Sequence, residues 1–156
     1  MDIIIGIGEY AISNKKEDVL KTYALASCVG ITMYCPLTKV GGMIHIALPN
    51  HHITELNHSK PGYYASLGVP LLLDMMEKKF HCKKDNLIIQ LFGGADSINK
   101  MDCFNIGRKN INAITNLLTK MSLKYSFTSV GGHLSRTIEM DIESGQIKMH
   151  TQPINI

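Results

Sequence analysis

The sequence predicts an α+β domain of mixed β-sheets with two main helices, on three observations. Short β-branched or aromatic runs bounded by turn formers recur along the chain. The segment 105–121 carries an apolar stripe at helical spacing. Glycine pairs at 41–42, 93–94 and 131–132 stand where strands begin or stop.

Taken in order, Ile3 to Ile7, Val29 to Tyr34 and Met43 to Leu48 read as strands, the last starting after Gly41-Gly42. Cys35-Pro36-Leu37-Thr38-Lys39 is short enough to join the second and third as a hairpin. The chain from Asn50 to Lys60 is polar and His-rich, as a surface loop is. A helix follows, with Ser59 as its cap and Tyr64, Leu67, Leu71, Met75 and Phe80 near helical spacing. Gly68 and Pro70 interrupt it, and one kinked helix is the reading adopted. Leu87 to Phe92 is the next strand. Ile106, Ile111, Ile114, Leu117, Leu118 and Met121 form the stripe of the second helix. Tyr125 to Val130 is a strand, and Thr137 to Ile142 with Gln146 to His150 make a terminal hairpin about Glu143-Ser144-Gly145. The sum is about seven strands and two helices.

A chain of 156 residues fits one domain, 1–156. At that size about 68–70% of the unfolded surface is buried, so a core forms without staples. The charge of +3, 6% aromatics and no Trp disfavour a nucleic-acid surface. The basic run Lys78 to Lys84 complements a helix C-terminus instead. No stretch reaches the ~18 apolar residues of a membrane helix, and Ile3 to Ile7 is too short for a signal peptide. Cys28, Cys35, Cys82 and Cys103 form no CxxC pair and no zinc spacing, which fits a reduced, cytoplasmic setting.

A cysteine nucleophile needs a base, because a free thiol is only a few per cent ionised near neutrality. Histidine suits that work. Cys28 stands at a strand entrance among the small residues Ala26, Ser27 and Gly30, where a thiol is reachable and backbone N–H groups can meet an oxyanion. The neighbouring strand of the hairpin carries His45. The bland reading is a buried packing cysteine beside an unrelated histidine, and residue types alone leave both open. Cys35, Cys82 and Cys103 have no histidine placed to serve them. His51, His52, His58 and His133 lack a carboxylate or thiolate that completes a metal set. Gly6-Ile7-Gly8 lacks the third glycine of a dinucleotide loop, and neither 93–94 nor 131–132 leads into a phosphate-loop Lys-Ser/Thr.

The order of the pieces resembles the chemotaxis glutamine deamidase family, CheD. The matching residues are Gly6-Ile7-Gly8-Glu9, Thr22 leading to Ala26-Ser27-Cys28-Val29-Gly30, and Gly41-Gly42-Met43-Ile44-His45-Ile46-Ala47-Leu48-Pro49. They continue through Leu91-Phe92-Gly93-Gly94-Ala95, Ile106-Gly107 with Asn110, Gly131-Gly132 with Arg136, and Ser144-Gly145. The resemblance implies a layered α/β sandwich related to bacterial toxin deamidases. It implies hydrolysis of chemoreceptor glutamine side chains to glutamate, with release of ammonia and no cofactor or metal. Cys28 takes the nucleophile's position, His45 the base's and Thr22 that of the residue orienting the imidazole. Ser27, Gly93 and Gly94 are expected to support substrate or oxyanion. Implied partners are the cytoplasmic domains of membrane-bound chemoreceptors and a CheC-type phosphatase, with no membrane insertion. A role mainly as stimulator of that phosphatase is the alternative; a cysteine peptidase or transglutaminase-like enzyme needs the same thiol–imidazole pair.

The chain departs from the family pattern in places. Ala24 and Ala26 stand where glycines are usual, so a required positive φ would strain them. Leu134-Ser135 precede Arg136 where a glycine is common, and Arg108-Lys109 replace an acidic-basic pair.

Overall fold

The structure is a computed structural model that describes residues 1–50, 60–98 and 104–154. Its strands are β1 (Asp2–Ile4), β2 (Tyr10–Ser13), β3 (Val19–Leu25), β4 (Val29–Cys35), β5 (Val40–Ile46), β6 (Ile88–Gly93), β7 (Ser126–Val130), β8 (Leu134–Asp141) and β9 (Ile147–Pro153). The helices are α1 (Ala65–Lys78), between β5 and β6, and α2 (Ile106–Lys120), between β6 and β7. The strands form a five-stranded sheet, β2-β5-β4-β6-β7, and a four-stranded sheet, β1-β3-β8-β9. β1 runs parallel to β3 and β7 parallel to β6; the other pairings are antiparallel. The α+β sandwich expected from the sequence is thus present.

Side-chain alternation creates the layers. On β4, Val29, Ile31, Met33 and Cys35 join one core with Leu72 and Met76 of α1 and Ile114 and Leu118 of α2. Tyr34, of the opposite parity, joins a second core with Leu20 and Leu25 of β3 and Ile138 and Met140 of β8. β5 repeats the rule: Ile44 and Ile46 face the helices, Met43 faces the second sheet. Helices, five-stranded sheet and four-stranded sheet are therefore stacked in that order. The central strands are buried on both faces and read as near-continuous apolar runs.

Several boundaries differ from the sequence reading, each for a local reason. The hairpin of β4 and β5 forms as expected, yet Gly41 and Gly42 lie inside β5 rather than before it. A Cβ at Gly41 would stand 2.7 Å from Ile142 Cδ1 and Met140 Sδ, so the glycine allows the sheets to close on each other. The first strand ends at Ile4, and the nine strands among the described residues include β2 and β3, which the sequence reading lacked. α1 is one helix with Pro70 inside it, but Tyr64 is its N-cap, and Ser59 lies outside the described residues. Gly68 is buried, and a Cβ there would stand 2.8 Å from Ile44 Cδ1, so α1 lies close on β5.

Candidate active site

Parity on β5 decides where His45 points. It shares the face of Met43 and so lies between the sheets, 3% exposed, opposite β3. On β3, Leu20 and Thr22 share the facing side and are fully buried. The two side chains meet there: Thr22 Oγ1 is 2.7 Å from His45 Nδ1. The main chain of His45 is also held at both ends by the loop after β1, with Gly8 N–H donating to its carbonyl and its N–H donating to Glu9 O.

The hydroxyl has one proton, and Thr22 Oγ1 is also 2.7 Å from Ile5 O, a carbonyl that can only accept. Thr22 therefore donates to Ile5 and accepts from His45, which puts the imidazole proton on Nδ1. Nε2 is left with its lone pair, buried and without a hydrogen-bond partner among the described residues. Burial lowers the His45 pKa from its ordinary 6.5 to about 4, so the ring is neutral near pH 7. Such a ring is in the form that accepts a proton.

Cys28 enters through register. Gly30 pairs with His45 and Val29 with Ile46 in the β4–β5 ladder. One further step places Cys28 opposite Ala47, diagonal to His45 on the same face, a spacing long side chains can bridge. Cys28 is half-buried and packs against the core between the sheets, the side on which His45 lies. Burial pushes its thiol pKa up. The resting pair is a neutral thiol near a neutral imidazole.

The loop that carries Cys28 is held by its carbonyls. Ala95 N–H donates to Ala26 O at 2.7 Å and Gly94 N–H to Cys28 O at 2.8 Å. Asn110 Nδ2 donates to Ser27 O at 2.9 Å. α2 presses on this loop system so closely that a Cβ at Gly107 would collide with the Ala95 carbonyl. Beside it, Ala26, Ser27, Asp96, Ile98, Ile106 and Ile154 line an open hollow of about 240 Å³.

The family model described as CheD chemotactic sensory transduction matches residues 47–151. A Syntrophotalea carbinolica protein named probable chemoreceptor glutamine deamidase CheD is 40% identical over 153 residues, covering 95% of this chain and 93% of that one. Proteins of the same name from Pyrococcus abyssi and Desulforamulus reducens are 37% and 34% identical, covering 95% and 96% of this chain and 90% of each relative. The chain belongs to the CheD family. The matched segment holds Gly93, Gly94, Asn110 and Arg136 and begins two residues after His45.

Within this CheD fold the structure brings Thr22 against His45 and sets Cys28 on the same side of the sheet. Gly93 and Gly94 back the loop that carries Cys28, and the Gly94 N–H is already committed to the Cys28 carbonyl. Cys35 and Cys82 belong to the helix-side core. His51, His52, His58 and Cys103 lie outside the described residues, among which no group of three His, Cys, Asp or Glu could hold a metal. No described helix is long and apolar enough to cross a membrane. Arg136 is buried, donating to Ser129 Oγ and the Leu134 carbonyl, and burial lowers its pKa. Sequence reasoning did not assign a task to Ile5 or Asn110. Asn110 carried a signal, being a polar residue four positions from both Ile106 and Ile114 on an apolar stripe.

Proposed function

We propose that this protein hydrolyses glutamine side chains in the cytoplasmic domains of chemoreceptors to glutamate, through a thioester on Cys28. The observation that carries the reading is the Ile5–Thr22–His45 chain, which fixes the imidazole proton on Nδ1 and leaves Nε2 bare. The names of the relatives supply the substrate class.

In the first half-reaction His45 Nε2 takes the Cys28 proton as sulfur attacks the carboxamide carbon. The tetrahedral oxyanion collapses, the C–N bond breaks, and the imidazolium returns its proton to the departing amine, giving ammonia. In the second, His45 takes a proton from water, the hydroxyl attacks the thioester, the C–S bond breaks as the imidazolium returns that proton to sulfur, and the acid formed loses its proton to solvent as glutamate. Thr22 orients the ring as a neutral support, so it stabilises the imidazolium less than a carboxylate would. With both resting groups neutral, proton transfer accompanies attack rather than preceding it. Ser27, Gly93 and Gly94 hold the loop that presents the thiol.

The deciding experiment is mass spectrometry of a receptor cytoplasmic fragment incubated with wild type and with Cys28→Ala. Conversion of discrete glutamines to glutamate by wild type alone supports the reading. Backbone cleavage or amine incorporation would instead indicate a peptidase or transglutaminase. Conversion that persists with Cys28→Ala would remove Cys28 as nucleophile. Binding to a CheC-type phosphatase, if retained by Cys28→Ala, is a role separate from this chemistry.

A further inference from the structure

Asn110 is fully buried on α2 and spends its amide on main chain. Its two Nδ2 protons go to Ser27 O at 2.9 Å and Ala47 O at 3.0 Å. A reversed amide would set Oδ1 against two carbonyl oxygens, so the orientation is fixed. Oδ1 is itself buried with no hydrogen-bond partner among the described residues. An unpaired buried acceptor is costly, so this side chain is in place for its donors.

The consequence falls on the nucleophile's own peptide. A trans peptide is planar, with N–H and C=O pointing opposite ways. Capture of the Ser27 carbonyl therefore turns the Cys28 N–H away from α2, and that N–H has no acceptor among the described residues. The Ala47 bond ties the same loop to the chain two residues past His45.

We propose that Asn110 is a positioning residue for acyl transfer: it holds the Ser27–Cys28 peptide so that the Cys28 N–H meets the oxyanion. The inference rests on Cys28 being the nucleophile, as proposed above, and adds the donor that stabilises the charge. Gly94, whose N–H is taken by the Cys28 carbonyl, fixes the other flanking peptide. Nucleophile, oxyanion donor and base are thereby fastened to one another through a single amide.

The test compares two reactions of the same thiol in the full chain. p-Nitrophenyl acetate acylates Cys28 through a tetrahedral oxyanion: the S–C bond forms, p-nitrophenolate leaves, and the thiol proton passes to His45 and then to solvent. Iodoacetamide alkylates the same sulfur by displacing iodide, with no oxyanion. Wild type, Asn110→Ala and the nearly isosteric, uncharged Asn110→Leu are compared, with peptide mass spectrometry separating Cys28 from Cys35, Cys82 and Cys103. Acylation is expected to fall about 10²-fold, as for loss of one oxyanion donor, while alkylation stays within about threefold. Equal losses in both reactions, or no loss in either, overturn the proposal. If Asn110→Ala does not fold, Asn110→Leu, which leaves no cavity, alone decides. Neither reaction uses a receptor, so a normal pattern here with no receptor deamidation would tell against the proposed substrate only. A wild-type Cys28 that the ester leaves unacylated would remove both.

Discussion

Thr22 Oγ1 lies 2.7 Å from His45 Nδ1 while donating its own proton to Ile5 O. One threonine thus sets the tautomer of the histidine from across the gap between two sheets. Replacing it by Val keeps the shape and removes both bonds, so the ring can rotate or exchange tautomers. We expect kcat on a receptor fragment to fall on the order of 10²-fold, the low end of what a positioned base contributes. The buried Ile5 carbonyl and His45 Nδ1–H also lose partners, at about 1–3 kcal/mol each in stability. Thr22→Ser, which keeps the hydroxyl, should recover most of the rate. Equal activity in the Val and wild-type proteins would show that Thr22 does not orient the base.

The buried imidazole makes stability depend on pH in a definite direction. The folded His45 pKa is about 4 against an ordinary 6.5, so the unfolded chain binds the proton more readily between those values. Its stabilising contribution is present above pH 6.5 and is lost as pH falls through that window, on the order of 3 kcal/mol in all. Urea unfolding at steps from pH 7.5 to 4 should show this loss in wild type and a flatter profile in His45→Gln over the same range. Parallel profiles for the two would mean that the ring is solvated or charged in the fold.

The hairpin that carries the site was legible because β4 and β5 are near-continuous apolar runs joined by a Pro-containing turn. That was enough to bring Cys28 towards His45. The strand that supplies Thr22 was not legible. In β3, Lys21 and Tyr23 face outward and Leu20 and Thr22 inward, but the bulge at Ala24 then shifts the phase and hides the alternation. β2 has four residues, and its pattern is too short to separate from a loop. The amphipathic stripe located α2 nearly to the residue. It could not show that Asn110, in the midst of that stripe, reaches two carbonyls on different segments, because that contact depends on how the layers stack.

The protonation state of Cys28 gives a separate test of the proposed mechanism. Burial raises the Cys28 thiol pKa, and no cation among the described residues works in the other direction. Alkylation of Cys28 by iodoacetamide should therefore keep rising beyond pH 9, as for a buried thiol. Under the proposed mechanism, with His45 taking the proton during attack, receptor deamidation should already be appreciable near pH 7. An alkylation profile that levels off below pH 8 would indicate a resting thiolate–imidazolium pair, and would replace the concerted step by attack of a preformed thiolate.

Ala24 holds the bulge next to Thr22 with φ of 54°, a left-handed conformation that a Cβ disfavours by roughly 1–2 kcal/mol. Between Thr22 and Leu25 the ladder with β8 gains one extra residue on the β3 side, and the Ala24 N–H donates to Thr137 Oγ1. Glycine relieves the strain, and part of the gain is offset by the greater freedom of the unfolded chain. Ala24→Gly should therefore stabilise the protein by up to about 1 kcal/mol, seen as a rise of about 2–4 °C in Tm for a chain of this size. Ala24→Val should shift Tm the opposite way, since a β-branched side chain fits a positive φ worst. The residue faces solvent, so neither change alters the core, and the opposite signs follow from backbone conformation alone. A Val variant as stable as the Gly variant would show that the strand does not hold Ala24 in the left-handed region.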